Sequence, residues 1–272
     1  MPAHPPHLSW LTETGETLVS ADGRQIKVLE LKYHEDDAVM SAWAKHFRHH
    51  YCDDEELRIM VKGSKKTRSE YLHAIIFPDE SSAPGPSIRS GDFAEILLAD
   101  YLEYALGYWV PRNKYAEKGA RNESVKGSDI IGFRVTDWYS DSNDDELYIC
   151  EAKAQLSGNK PHPRLQNAID DSAKDMVRQA ESLHAIKRHL YRRYGEEEAS
   201  KIERFQDVED RPYRRSYGAA AVFNNSIFDK DSIQQSDSSK HPEKDSLYLI
   251  TIKGESLMEL VRNLYNRAAN EA

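Results

Sequence analysis

Cysteine is nearly missing from this 272-residue chain: Cys52 and Cys150 stand alone, too few for a disulfide framework, and a reducing cytoplasm is the expected compartment. Long apolar runs are missing too. No stretch approaches the roughly 20 apolar residues that span a bilayer, and the opening MPAHPPHLSW lacks the basic-then-apolar order of a secretory signal, so a soluble globular protein is expected. Positive charge is in deficit, with 37 Lys and Arg against 46 Asp and Glu and a net charge of −9. That balance excludes a protein that coats nucleic acid by bulk charge, because unspecific binding rests on cations set against phosphates. Any such contact must be local. Three basic patches qualify: Arg112, Lys114, Lys118, Arg121 and Lys126; then Arg178, Lys187, Arg188, Arg192 and Arg193; then Arg211, Arg214 and Arg215. Internal repeats are absent as well.

His46, His49, His50 and Cys52 form the one His/Cys cluster, and no second pair at a zinc-site spacing closes a tetrahedron. The expected role is a helix end where histidines complement the dipole. Asp141, Asn143 and Asp145 imitate the start of an EF-hand, but Glu146 and Ala152 stand where the loop needs Gly and Glu, so calcium binding is not expected.

What is present centres on residues 127–155, GSDIIGFRV, an acidic break, then ELYICEAKAQ. Residues 130–135 and 147–150 are short and rich in β-branched and aromatic residues, and the segment between them reads as a turn. An antiparallel hairpin centred on Ser140 and Asp141 puts Asp129 opposite Glu151. Alternation along the strand sends Glu151, Lys153 and Gln155 to one face and Cys150, Ala152 and Ala154 to the other. Two hard carboxylates with a nearby ammonium suit a divalent cation acting on a phosphodiester, with Mg²⁺ the natural ion and Mn²⁺ a substitute.

At these residues the sequence resembles the PD-(D/E)xK nuclease superfamily, with Asp129 as the first acid and Glu151-Ala152-Lys153 as the (D/E)xK element. Ser128 stands where the proline of the name would be. The wording GDFAEILLADYLEY, KGSDIIGFR and ELYICEAKAQLSG is similar to the HamA nuclease subunit of Hachiman anti-phage defence systems. The resemblance implies a restriction-endonuclease-like α/β core, a central mixed sheet flanked by helices with an N-terminal α+β extension. It also implies a Mg²⁺-dependent deoxyribonuclease. Asp129 and Glu151 would be its metal ligands, Glu95 on the preceding helix a third acid, the Ala152 carbonyl a further ligand, and Lys153 the water-orienting or transition-state group. The implied partners are DNA and a helicase subunit of the same system (HamB-like). Lys126, Gln155, Lys174, Arg178 and Gln179 are the candidate nucleic-acid contacts. Two rival readings use the same letters: a catalytically inactive DNA-binding or regulatory subunit of the helicase, and an RNA-directed nuclease.

Along the chain, residues 1–23 read as turn-rich, 25–32 as a strand, 36–49 as a helix, and 56–62 and 71–77 as two more strands. This is a module of its own or an extension of the main sheet. The Pro, Ser and Gly content of residues 78–92 reads as a linker, dividing an N-terminal module (1–85) from a nuclease-like domain (86–272). A buried helix over 93–106 follows with Asp92 as its N-cap, an arrangement in which Glu95 could serve a capping box instead of a metal. Residues 108–111 read as a short strand, 165–194 as one helix on the sheet, 218–223 and 247–253 as strands, and 256–267 as a closing helix.

Overall fold

In a computed structural model, which describes residues 4–123 and 127–272, the chain runs β1 (Leu11–Val19), β2 (Gln25–Leu31), α1 (Asp37–His49), α2 (Asp54–Met60), α3 (Arg68–Tyr71), α4 (Gly85–Asp100), β3 (Ile130–Arg134), β4 (Glu146–Gln155), α5 (Arg164–Ser172), α6 (Asp175–Tyr194), α7 (Glu196–Ser200), β5 (Arg214–Asn224), α8 (Lys230–Gln234), β6 (Leu247–Gly254) and α9 (Leu257–Asn270). The strands make one mixed sheet in the order β1-β2-β6-β5-β4-β3. β4, β5 and β6 pair in parallel at its centre, β2 joins β6 in parallel, and β1 and β3 are antiparallel edges. Of the two readings of the N-terminal segment, extension of the main sheet is the one seen.

The small apolar residues of β5, Gly218 to Val222, are buried on both faces, as a central parallel strand requires. One face is covered by α1, α4 and α9 through Trp43, Phe93, Leu97, Leu264 and Tyr265. The other is covered by α5 and α6 through Leu165, Ile169, Leu183 and Ile186. This is an α/β fold with helices on both sides of a six-stranded mixed sheet, consistent with a restriction-endonuclease-like core. Among the described residues no helix is long and apolar enough to cross a membrane.

Five local expectations are corrected. Residues 56–62 and 71–77 are helical rather than extended. The Asp53 carboxylate accepts from the Glu56 N–H at 2.8 Å, and Thr67 and Glu70 form a full capping box, so cap chemistry outweighs the apolar runs that follow. Residues 78–92 are not all linker. α4 begins at Gly85, with Pro86 near its start where a missing N–H costs nothing. Asp92 is therefore a buried mid-helix residue, not a cap, and its carboxylate accepts from Tyr51 Oη at 2.6 Å and Lys118 Nζ at 2.5 Å. The turn-rich start holds β1, whose register slips between Glu13 and Thr17, around Gly15 at φ +72°. The helix expected over 165–194 is two helices meeting at Ala173 and Lys174. Residues 108–111 contribute a single bridge, Trp109 to Phe133, in place of a strand.

A candidate acid and lysine site at the end of the central strands

The β3–β4 register pairs Ile130 with Cys150 and Arg134 with Glu146, which fixes the hairpin centre where the sequence put it. Asp129 and Glu151 consequently meet: the Asp129 N–H donates to Glu151 Oε1 at 3.3 Å, and Asp129 Oδ2 accepts from the Ala152 N–H at 3.0 Å. Cys150 and Ala152 pack into the core under α4, so alternation turns Glu151 and Lys153 toward α5 and α6. There Lys153 Nζ lies 3.4 Å from Glu151 Oε2 and 2.8 Å from Asp171 Oδ2 at the end of α5.

α4 delivers Glu95 from the other side. Its Oε2 accepts from Tyr115 Oη at 2.6 Å and from Lys114 Nζ at 2.7 Å, and the same ammonium reaches Asp129 Oδ1 at 2.6 Å. One lysine therefore bridges Glu95 and Asp129. Because Asp92 is not a cap and Glu95 is three turns from the start of its helix, the capping-box reading of Glu95 no longer applies. A fourth acid, Asp175 in the first turn of α6, accepts from Ser128 Oγ at 3.0 Å, and its Oδ2 has no partner among the described residues although it is buried.

Like charges in a dry place raise one another. Burial, followed by the charge of Asp129, pushes Glu95 up to about 7. Burial with the charges of Asp129 and Asp175 pushes Glu151 up to about 9, and burial raises Asp175 to about 6. Burial works on Asp129 too, but the Lys114 ammonium and the Ala152 N–H outweigh it and hold Asp129 below the usual carboxylate range. The group carries more negative charge than Lys114 and Lys153 offset. Hard oxygen donors and an orphaned carboxylate oxygen suit an Mg²⁺-type cation in kind, while the donor oxygens of Glu95, Asp129 and Glu151 do not all lie within 4.8 Å of one another. Lys114 currently fills the gap between Glu95 and Asp129.

Glu95, Lys114 and Asp129 face a cleft of about 290 Å³ between α4, residues 110–117 and α6. A larger cavity of about 750 Å³, lined by Tyr101, Tyr108, Tyr148 and Tyr248, opens at the opposite ends of β4, β5 and β6, away from the acids. Of the candidate nucleic-acid contacts, Arg178 and Lys174 are exposed at the start of α6, where Lys174 reaches Asp171 at 2.6 Å. Gln179 donates to Tyr213 Oη at 3.0 Å. Gln155 is buried and spends both ends of its amide on the following loop, at Lys160 O and the His162 N–H. Lys126 lies outside the described residues.

The first basic patch is not a free surface. Arg112 pairs with Asp100 and Glu103, Lys118 with Asp92, and Arg121 with Asp79, so this stretch is folded onto acids, those of α4 and its extension foremost. Lys114 was visible in the sequence only as a member of that patch; acids at 92, 95, 100 and 103 against bases at 112, 114 and 118 were the available signal. Asp175 and Asp171 carried none. In the turn, Asp141 and Asp145 are ion-paired to Arg211 and Arg204.

A family model described as HamA matches residues 5–268, nearly the whole chain. No curated protein matches it.

Proposed function

The chain belongs to the HamA family, and with it to Hachiman anti-phage defence; from that premise we propose that it is the nuclease of such a system, a divalent-cation-dependent enzyme that hydrolyses DNA phosphodiesters alongside a helicase subunit. The observation that carries the reading is the meeting of Asp129 and Glu151 at the head of the β3–β4 hairpin, with Glu95 and Lys153 on either side. That meeting supports the reading of Asp129 and Glu151-Ala152-Lys153 as a PD-(D/E)xK-type motif. Mg²⁺, or Mn²⁺ in its place, would be held by Asp129, Glu151 and Glu95, and supplies a Lewis acid and an acidified water.

The chain's own residues do the rest. Asp129 stays ionised through Lys114 and the Ala152 N–H, so one full negative charge is ready on the strand end. Burial and the charges of Asp129 and Asp175 keep a proton on Glu151 near neutral pH, which it would have to give up to serve as a ligand. Lys153, steadied by Asp171 and Glu151, presents an ammonium that orients a water and offsets charge growing on the phosphoryl oxygens. Lys114 ties Glu95 to Asp129 at 2.7 and 2.6 Å, and its ammonium would have to withdraw for these two carboxylates to hold a cation. Arg178 and Lys174 carry the phosphate backbone past the acids.

The test is cleavage of labelled DNA and RNA by the purified chain, alone and with its helicase, in Mg²⁺ or in EDTA. Wild type is expected to cut DNA only with the cation, and Glu151→Gln or Lys153→Ala to lose about 10²-fold or more in rate. Cutting of RNA alone would move the substrate. No cutting by any preparation that still binds the helicase would favour an inactive regulatory subunit.

A further inference from the structure

The histidines at the end of α1 meet a residue that sequence reading could not supply. His46 and His50 are one helical turn apart, so both imidazoles project to the same side. Asp100, at the end of α4, comes up against them and is fully buried. His46 Nε2 lies 2.9 Å from Asp100 Oδ1 and 3.3 Å from His50 Nε2, and His50 Nε2 lies 4.0 Å from the same Oδ1. Among the described residues this is the one group of three metal-ligating side chains whose donor atoms all lie within 4.8 Å of one another.

We propose that His46, His50 and Asp100 form a binding site for a single divalent transition metal, zinc by its donor set, which fastens α1 to α4.

Three arguments converge. First, tetrahedral zinc with bonds of about 2.0–2.1 Å to imidazole nitrogen and carboxylate oxygen sets its ligand atoms about 3.3–3.4 Å apart, and the three separations here, 2.9, 3.3 and 4.0 Å, bracket that edge. Second, protons do not satisfy the triangle. Each Nε2 offers one position, a hydrogen or a lone pair. If His46 carries the hydrogen and gives it to Asp100 at 2.9 Å, the bare His50 nitrogen 3.3 Å away has no hydrogen of its own from that ring. If His50 carries it, the bare His46 nitrogen faces the carboxylate oxygen at 2.9 Å, lone pair against lone pair. A cation at the centre satisfies all three atoms. Third, the carboxylate is already oriented as a one-oxygen ligand: Arg112 reaches Oδ1 at 2.9 Å and the buried His7 Nε2 holds Oδ2 at 3.1 Å, the outer support that ligands of metal sites have. Arg112 does not exhaust the negative charge, because it is shared between Asp100 and Glu103. Two imidazoles and one carboxylate select zinc over Mg²⁺ or Ca²⁺. His46 keeps about a quarter of its side chain in solvent, leaving a fourth position for water.

The experiment measures zinc in the full chain purified without a histidine tag, then strips the metal with chelator and titrates with Co²⁺. About one zinc per chain is expected, as is the strong visible absorption of four-coordinate Co²⁺. His46→Gln should lose that absorption while Glu151→Gln, in the acid site, keeps it, and zinc should raise the melting temperature of wild type but not of His46→Gln. Wild type that takes up neither metal would overturn the proposal and leave a hydrogen-bonded cluster. Absorption lost in Glu151→Gln and kept in His46→Gln would overturn it as well. The wild-type titration decides the matter even if the variants fold poorly.

Discussion

Lys114 sets the chemistry of the acid group at the level of single residues. It neutralises Asp129 outright and Glu95 in part, while Glu151 and Asp175 are left to hold protons. The sign of the pH dependence follows. With no divalent cation, Glu95, Glu151 and Asp175 bind protons in the folded protein at pH values where the unfolded chain has released them, so the folded state is favoured at the lower pH. Stability in EDTA should therefore fall as pH rises from the ordinary carboxylate values of 3.8–4.5 to about 9, most steeply below about 6 where all three groups contribute, read as melting temperature against pH. Saturating Mg²⁺ or Mn²⁺ should flatten that slope by taking the protons' place. Asp129 acts in the opposite sense, contributing stability above its unfolded value that is lost in acid. Lys114→Met leaves two buried acids facing each other. It should cost about 3 kcal/mol in EDTA, with a larger recovery on adding Mn²⁺ than wild type shows, measured by denaturant melts with and without the ion.

At the level of elements, the hairpin β3–β4, the strand β5 and the helix α1 were legible, and the short helices α2 and α3 were not. β5 has a sharp requirement at Gly218: a Cβ there would meet Tyr148 Oη at 2.4 Å and Cys150 Sγ at 2.8 Å. Gly218→Ala should destabilise by about 1–3 kcal/mol through overpacking of β4, seen as a lower urea midpoint with the m-value unchanged. The hairpin was readable because β-branched runs flank a polar turn and period-2 alternation carries the register to Asp129 and Glu151. Residues 56–62 and 71–77 misled because a short apolar run fits a buried strand or a buried helix equally, and the deciding caps lay one step upstream at Asp53 and Thr67. Asp92 looked like a cap because Gly91 and Ser90 precede it, whereas α4 had already run two turns and buried its carboxylate against Tyr51 and Lys118. Glu95 could be named from the order of elements; its bridge to Asp129 through Lys114 is a long-range contact that no local pattern contains.

For the whole molecule the sheet is the organising object. β1 and β2 close the edge of β6, with Ile26 on Leu249 and Leu29 on Ile252, and α1 packs with α9 over the same face as α4. Removing residues 1–32 would bare the β6 edge and the apolar face beneath it, so that truncation should yield aggregated protein, and the full chain should melt in one cooperative transition by calorimetry. The same layout keeps the acid site between two separately packed faces, with Glu95 fixed by the α1–α4–α9 layer and Asp171 and Asp175 by the α5–α6 layer, while β3 and β4 join them. The most direct measurement of the central claim is diffraction from crystals soaked in Mn²⁺, collected where manganese scatters anomalously. A peak is expected among Glu95, Asp129 and Glu151, with Lys114 Nζ withdrawn from between the first two. Crystals in which manganese stays out of that group and Lys114 still bridges Glu95 and Asp129 would contradict it.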